Sequence, residues 1–450
     1  MAAQQIKFGT DGWRGIIADD FTYGNVRRVA QATAQYMKSR SNDPLAIVCY
    51  DCRFASEDFA QAVADIFASN GIKTLVFDRP SPTQVASWTV IDRKATGAVA
   101  ITASHNPYQF NGYKYKTETG SAVPSEVIAE LERTINSLDD VPAPDHKVGH
   151  GFVSSYDPRP HYYAQISRMV DLDAIKNAGL RVVHECMYGS GYGYIADMIG
   201  GGRTVVTELH NQRNPLFGGI NPEPIPPNID STIAMMKVGN QDLCICTDGD
   251  ADRVGIIDES GRFINQLQVF ALLMLYLFEA RGMRGPVIKT VNMTAMVDKL
   301  GAEFGERVFE VPVGFKNVAP KMMETNALLG GAGKPISQIL AGLEQRVGPH
   351  AYARHDIHLQ RDTYESDRKR IIETLQQNEP NEIAGVAVQR VRSDDGFKFY
   401  LADGSWVLLR ASGTEALIRI YSEAADGEAV EARLRALEDI VGVRQHATAS

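Results

Sequence analysis

Across residues 45–101, short apolar runs alternate with stretches whose apolar positions recur every three or four residues. LAIVCYD (45–51) is a continuous, branched run, which predicts a strand buried on both faces. SEDFAQAVADIFASNG (56–71) puts Phe59, Val63, Ile66 and Phe67 on one helical face, with Ser56 as N-cap, acids in the first turn and Gly71 as the stop. The strand IKTLVFD, the helix SPTQVASWTVIDR and the strand GAVAIT follow. This β-α-β-α-β order predicts a largely parallel sheet covered by helices.

LDDVPAPDHKVGH (138–150) interrupts the alternation with prolines and charge and reads as a boundary. A second α/β unit follows in LRVVHECM, TVVTELH, a helix near 228–238, DLCICTD and VGIIDE. A third runs from a helix at 266–281 through PVIKTV, a helix at 294–304, RVFEVPV and ALLGG. A looser stretch, GPHAYARHDIHL (348–359), leads into a last unit. That unit has a helix near 363–376, then the strands GVAVQRV, FKFYLA, WVLLR and LIRIYSE, and a final helix with Val430, Leu434, Leu437 and Ile440 inward. Consecutive strands make it α+β. The expected domains are 1–145, 151–258, 259–350 and 356–450.

Composition narrows the function. A chain of 450 residues is too long for one hydrophobic core. The net charge of −9 and the lack of a basic block argue against a nucleic-acid partner. The start, MAAQQIKFGT, lacks a secretory pattern, and the most apolar run, VFALLMLYLF (269–278), is too short to span a bilayer. A cytoplasmic protein with no membrane partner is expected. The five cysteines form no disulfide framework, and Cys49-x-x-Cys52 has no second pair to complete a zinc site, so reduced thiols are expected.

Polar loops follow strands at 102–116, 247–253, 312–316 and 410–415. In parallel α/β sheets ligands bind beyond the carboxyl ends of strands, so these loops could share one cleft. In CTDGDADRVG, Asp248, Asp250 and Asp252 put three carboxylates within five residues. Their repulsion is costly without a cation, and oxygen-only ligands point to Mg²⁺, or to Ca²⁺ or Mn²⁺. A solvated acidic turn is the plainer alternative. A calcium EF-hand is excluded, because Arg253 stands where that loop needs glycine and the flanks are strands. In RASGTEALIRIY, Ser412, Gly413 and Thr414 between Arg410 and Arg419 suit an anion such as phosphate, although Ser-Gly-Thr turns are common. Ser104-His105 sits in no G-x-S-x-G elbow, and neighbouring side chains on one backbone usually diverge, so a Ser-His hydrolase is disfavoured. A serine beside a hard-cation site could instead carry a phosphoryl group.

FGTDGWRG (8–15), TASHNP with NGYK (102–107 and 111–114), TDGDADR (247–253), VGFK (313–316) and RASGTE (410–415) occur in the order of the motifs of the α-D-phosphohexomutase superfamily, the phosphoglucomutase/phosphomannomutase group. The chain resembles that family over nearly its whole length. The resemblance implies three consecutive α/β domains with mixed sheets and a C-terminal α+β domain, TATA-box-binding-protein-like, around a central cleft. It implies a phosphoserine at Ser104 and Mg²⁺ held by a Ser104 phosphate oxygen with Asp248, Asp250 and Asp252. Arg253 would brace the serine phosphate, and Lys114 and Arg14 would lie by the reacting hydroxyl, Lys114 or a neighbour acting as general acid/base. His105 would be a nearby orienting group. Arg410, Ser412, Gly413, Thr414 and Arg419 would hold the phosphate that is not transferring, and Gly314 and Lys316 would belong to the sugar loop. The implied reaction moves phosphate between O1 and O6 of a hexose phosphate through a hexose 1,6-bisphosphate.

Two departures carry expectations. Ala411 and Ala416 replace the usual prolines, so the phosphate loop is expected to be less rigid. After NALLGG (326–331) the chain runs directly into AGKPISQILAGLEQRVG, where the family has a Glu-x-Ser-Gly sugar-recognition loop. An active mutase with weak sugar discrimination and a weakly active phosphosugar-binding homologue therefore both remain open. Trp13 in GTDGW resembles gluco- and mannomutases more than glucosamine mutases.

Overall fold

The computed structural model describes residues 5–9, 12–144, 151–325, 343–360, 362–412 and 416–444, without the side chains of 315 and 323. The stretch after Gly331, where the sugar-recognition loop is expected to be absent, lies outside the described residues, as do ALLGG, Gly413 and Thr414. The chain forms two compact units, the first over Met1–Val269 and the second mainly over Phe270–Lys334 and Gln338–Ser450.

The first unit holds two sheets. In chain order its first part comprises β1 (Trp13–Ile16), α1 (Tyr23–Arg40), β2 (Leu45–Tyr50), α2 (Ser56–Ser69), β3 (Lys73–Phe77), α3 (Thr83–Arg93) and β4 (Gly97–Ile101). It continues with β5 (Phe110–Lys116), α4 (Ser125–Ser137), β6 (Val153–Tyr156), α5 (Arg159–Met169) and α6 (Leu172–Asn177). The strand order is β1-β5-β4-β2-β3-β6. β4, β2, β3 and β6 run parallel, while β5 and β1 are antiparallel additions. β2 is buried on both sides. Ala46, Val48 and Tyr50 pack with Val29, Phe59, Val63 and Leu131. Ile47 and Cys49 pack with Val85, Val90 and Ala98.

Two expectations are corrected here. Ser56 is not the cap of α2: Ala55, at φ 56°, precedes the helix, and the Ser56 hydroxyl instead donates to Asp51 Oδ1 at 2.8 Å. Residues beyond 150 do not all leave the first sheet, because β6 extends it beside β3.

The second sheet is built from β7 (Arg181–Glu185), α7 (Tyr194–Ile199), β8 (Val205–Leu209), α8 (Asp230–Val238), β9 (Leu243–Thr247), β10 (Val254–Asp258) and β11 (Phe263–Ile264). Its order is β11-β10-β9-β7-β8, with β9, β7 and β8 parallel and β10 turned back against β9. Both sheets share one device: a parallel strand returns at once as an antiparallel neighbour, because the connecting loop is too short for a crossover. The loops at those two reversals are 102–109 and 248–253.

α9 (Gln266–Glu279) leads into the second unit. There β12 (Val287–Thr290), α10 (Met296–Phe304), β13 (Val308–Val311) and α11 (Phe315–Thr325) form a small α/β layer with a parallel β12–β13 pair. No helix among the described residues is long and apolar enough to cross a membrane.

The last sheet contains β14 (Ala351–His358), β15 (Glu382–Ile383), β16 (Val386–Arg392), β17 (Phe397–Leu401), β18 (Trp406–Ala411) and β19 (Leu417–Ala424), with α12 (Tyr364–Gln377) and α13 (Gly427–Val441). It is antiparallel, in the order β14-β19-β18-β17-β16-β15. The looser stretch expected at 348–359 is in fact the edge strand β14. On α13 the fourth fully inward residue is Val441 rather than Ile440, which is half-buried.

The α/β and antiparallel parts of this unit are joined through Glu310 on β13. Its carboxylate pairs with Lys398 at 2.9 Å, Arg392 at 3.0 Å and Lys289 at 3.4 Å, and accepts from the Tyr400 hydroxyl. Burial opposes the Glu310 charge, yet these partners hold the carboxyl down at about 2.

Candidate active site

Ser104 lies in the loop between β4 and β5 with φ 54°, a left-handed backbone uncommon for a residue with a side chain. Its amide donates to Thr102 Oγ1 at 2.9 Å. Its hydroxyl donates to Asp248 Oδ2 at 2.8 Å, across from one hairpin to the other. The approach depends on Gly249, where a Cβ would fall 2.4 Å from the Ser104 carbonyl oxygen.

His105 Nδ1 lies 3.3 Å from Ser104 Oγ, so the two neighbouring side chains do meet, contrary to the sequence argument. The left-handed turn at Ser104 brings them together. This is still no hydrolase triad. There the carboxylate holds the imidazole, whereas here it holds the serine itself.

Asp248, Asp250 and Asp252 offer carboxylate oxygens within 4.8 Å of one another, with Asp248 and Asp250 fully buried. Burial, and then the charges of Asp250 and Asp252, push the Asp248 carboxyl well above its usual range. A cation at this cradle would remove that penalty, and three oxygen donors suit a hard ion, so the residues fit a divalent metal. The loop is clamped from outside: Thr83 N donates to Asp250 O, Gln84 Nε2 to Ala251 O, and Ser190 N to Gly249 O. Thr83, Gln84 and Ser190 belong to no sequence motif. Behind the loop, His184 bridges Glu208 and Thr247 at 3.1 Å each.

Lys114 belongs to β5 rather than to a loop, paired in register with Ala100. Its buried ammonium donates to Asp250 Oδ2 at 2.8 Å and Asp252 Oδ2 at 3.2 Å. Arg14, on β1, donates to Asn106 Oδ1 at 2.6 Å. Arg253 donates its amide to Asp248 Oδ1 at 3.1 Å, and its guanidinium reaches Glu223 at 3.3 Å. Ser104, His105, Lys114, Arg253 and the three aspartates thus belong to one connected cluster, with Arg14 reaching Asn106 two residues along the serine loop. Trp13 is buried and stacked on Phe21, centroids 4.8 Å apart, so its identity serves the core and says nothing of a sugar.

The remaining candidates lie in the second unit. Arg410 on β18 and Arg419 on β19 are register partners. Arg410 donates to Asp395 Oδ1 from Nε at 3.1 Å and Nη2 at 2.9 Å. The other oxygen of Asp395 accepts the Val313 amide at 2.6 Å, next to Gly314, whose φ is 118°. Arg419 lies 3.8 Å from Asp356, and the Ser412 carbonyl accepts from the Tyr364 hydroxyl. Lys316 is half-buried in the first turn of α11. Asp395 therefore ties the arginine of one candidate loop to the backbone of the other, a link no motif announced.

Mixed α/β layers carrying a serine loop and an acidic loop at paired hairpin tips, followed by an antiparallel α+β domain, are the arrangement of an intramolecular phosphotransferase. The chain belongs to the phosphoglucomutase/phosphomannomutase family: models of its α/β/α domains I, II and III match residues 5–141, 160–261 and 265–332, and that of its C-terminal domain matches 370–440. It is 28% identical to a phosphoglucomutase/phosphomannomutase of Thermococcus kodakarensis, covering 94% of this chain and 95% of that protein. It is 30% identical to a phosphoglucosamine mutase of Leifsonia xyli, covering 97% and 98%. A crystal structure from Thermus thermophilus, described provisionally as a phosphomannomutase, superposes with a TM-score of 0.84 at 30% identity, covering 98% of this chain and 100% of that one.

Proposed function

We propose that the protein is a cytoplasmic hexose-phosphate mutase that moves phosphate between O1 and O6 through a phosphoserine at Ser104, with glucose 1-phosphate and glucose 6-phosphate favoured and mannose phosphates also accepted. The observation that carries the reading is the 2.8 Å contact of Ser104 Oγ with Asp248, which seats a hydroxyl on a cradle of three carboxylates. Asp248, Asp250 and Asp252 would hold Mg²⁺ together with an oxygen of the serine phosphate. When bound, the ion neutralises negative charge on the phosphoryl oxygens.

In the forward half-reaction the Ser104 Oγ–P bond breaks while a bond forms from phosphorus to the free sugar hydroxyl. That hydroxyl's proton passes to a basic group beside Lys114, or to Lys114 in the neutral amine form left once its ammonium gives up the proton it donates to Asp250, and Arg14 and Arg253 offset charge around the phosphoryl group. The product is a hexose 1,6-bisphosphate. It then presents its other phosphate, which returns to Ser104 by the reverse steps, so atoms and protons balance over the cycle. Arg410, Ser412, Gly413, Thr414 and Arg419 would grip the phosphate that is not transferring, and Gly314 and Lys316 the sugar. His105 orients the serine hydroxyl. Neither nucleic acid nor membrane has a part in this reading.

A second reading, with a glucosamine phosphate as substrate, is favoured by the similarity to a protein named for that sugar. A coupled assay with Mg²⁺ and glucose 1,6-bisphosphate on glucose, mannose and glucosamine 1-phosphates separates the two. Intact-mass analysis should find one phosphate, located to Ser104, and Ser104→Ala should abolish both phosphate and turnover. Isomerisation by Ser104→Ala would sink the nucleophile. Similar low rates on glucose and mannose phosphates would agree with a short sugar loop. Absence of turnover on every sugar, with Ser104 still phosphorylated, would favour a binding homologue.

A further inference from the structure

Arg53 stands just beyond β2, outside every motif considered above. Its side chain is fully buried. All five N–H directions of a guanidinium find acceptors. Nε donates to Asp51 Oδ2 at 3.1 Å. Nη1 donates to the carbonyls of Pro107 at 2.8 Å and Phe110 at 3.0 Å. Nη2 donates to the carbonyls of Ser104 at 2.7 Å and Asn106 at 2.6 Å. The guanidinium also lies over the Phe217 ring, 4.9 Å from its centroid. Three of the five acceptors are thus carbonyls of the serine loop, one of them that of Ser104 itself, and a fourth is that of Phe110, where β5 begins.

Burying a charge is costly, so an arginine used only to stabilise the core would be an uneconomical choice there. A planar five-donor fork is the side chain able to fix several carbonyls of one loop at once. The loop needs such a hold, because Ser104 is kept in a left-handed backbone that an unrestrained serine would leave. Asp51, which fixes the arginine, is itself fixed: it accepts from the Arg53 amide at 2.9 Å and from the Ser56 hydroxyl at 2.8 Å. Ser56 in turn accepts from Asn111 Nδ2 at 2.9 Å, at the far end of the same loop.

We propose that Arg53 is a positioning residue for the phosphoryl-carrying serine: it moulds loop 104–110 around one guanidinium and so sets where Ser104 Oγ stands relative to the acidic cradle. Arg53 touches neither sugar nor transferring phosphate. Its effect falls on the rate at which Ser104 gains and gives up phosphate and leaves the affinity for hexose phosphate alone. The inference rests on the reading of Ser104 as the phosphate carrier.

The test compares Arg53→Lys, which keeps the charge and loses the fork, with Val63→Ala, a core truncation on α2 that lowers stability without touching the loop. For Arg53→Lys, kcat should fall about 100-fold, the effect of a displacement near 1 Å, with KM within about threefold of the unmodified protein. Ser104 should also take up phosphate from glucose 1,6-bisphosphate more slowly. Amide hydrogen exchange over residues 102–112 should quicken in Arg53→Lys and stay unchanged in Val63→Ala. The exchange measurement needs no turnover, so it still judges the positioning role if Ser104 proves not to carry phosphate. Undisturbed exchange in 102–112, a kcat within threefold of the unmodified protein, or a loss confined to KM would overturn the proposal. So would a kcat loss matched by Val63→Ala at equal thermal midpoint.

Discussion

Gly249→Ala tests how closely the two hairpin tips must approach. Gly249 is required for space: a Cβ there would meet the Ser104 carbonyl oxygen at 2.4 Å and Pro222 Cγ at 3.3 Å. Ordinary contact begins near 3.4 Å, so about 1 Å has to be found. The serine loop cannot simply retreat, because Arg53 Nη2 holds the same carbonyl from another direction at 2.7 Å. Overpacking of this kind costs about 1–3 kcal/mol of stability. If the displacement falls on the 2.8 Å contact between Ser104 Oγ and Asp248, the hydroxyl leaves hydrogen-bond reach of the cradle. A misplacement of that size costs roughly 100-fold in rate. The assay is a thermal melt with steady-state kinetics and the phosphate content of Ser104. Gly427→Ala, where a Cβ meets nothing within 4 Å, is the control and should leave all three unchanged. Near-normal kcat and full Ser104 phosphorylation in Gly249→Ala would refute the reasoning.

Asp250→Asn removes one charge from the cradle and should raise the Mg²⁺ concentration needed for half-maximal rate by more than about tenfold; equal activity in EDTA for either protein would contradict the metal assignment. Arg410→Met should weaken hexose-phosphate binding by about 2–5 kcal/mol, read as a rise in KM, and an unaltered KM would remove Arg410 from the phosphate site. Glu310 is held at about 2, below its unfolded value of 4.5, so its stabilisation is complete above 4.5 and is lost as pH falls toward 2. It is worth about 3 kcal/mol, and Glu310→Gln should melt lower at pH 7 with the gap narrowing below pH 4.5; a gap independent of pH would mean that the carboxylate charge is not what binds that cluster.

The central strands were legible because their physics is repetitive. β2, β3 and β4 are apolar runs broken by a helix with one apolar face, and α2 buries Phe59, Val63, Ile66 and Phe67 as the period required. β1 and β5 were not legible as strands. WRGI and FNGYKYK carry arginine, lysine, asparagine and glycine because those positions face the site or another backbone, and function overrides strand composition there. β14, AYARHDIH, is an edge strand with one covered neighbour, so its charged residues suit it and hide it. The acidic and serine loops stood out by charge density and motif. Arg53 did not, although Asp51-x-Arg53 at the carboxyl end of β2 was a usable signal: a charged pair just where a parallel strand stops. Asp395 had no signal, because its meaning depends on Val313 and Arg410, far away in sequence.

Lys114 and Ser104 are carried by one β-hairpin, with Lys114 locked to Ala100 by sheet pairing. The ladder of backbone hydrogen bonds fixes where Lys114 stands, whereas Ser104, in the loop of that hairpin, takes its place from Arg53 and from the close approach of Gly249. The hairpin from Gly97 to Lys116 forms one unit with Arg53 and the acidic hairpin tip that close on it. Mutation can drift through the rest of the chain while that unit stays intact. Lineages of this fold can thus part in substrate long before they part in chemistry, as relatives named for different sugars suggest.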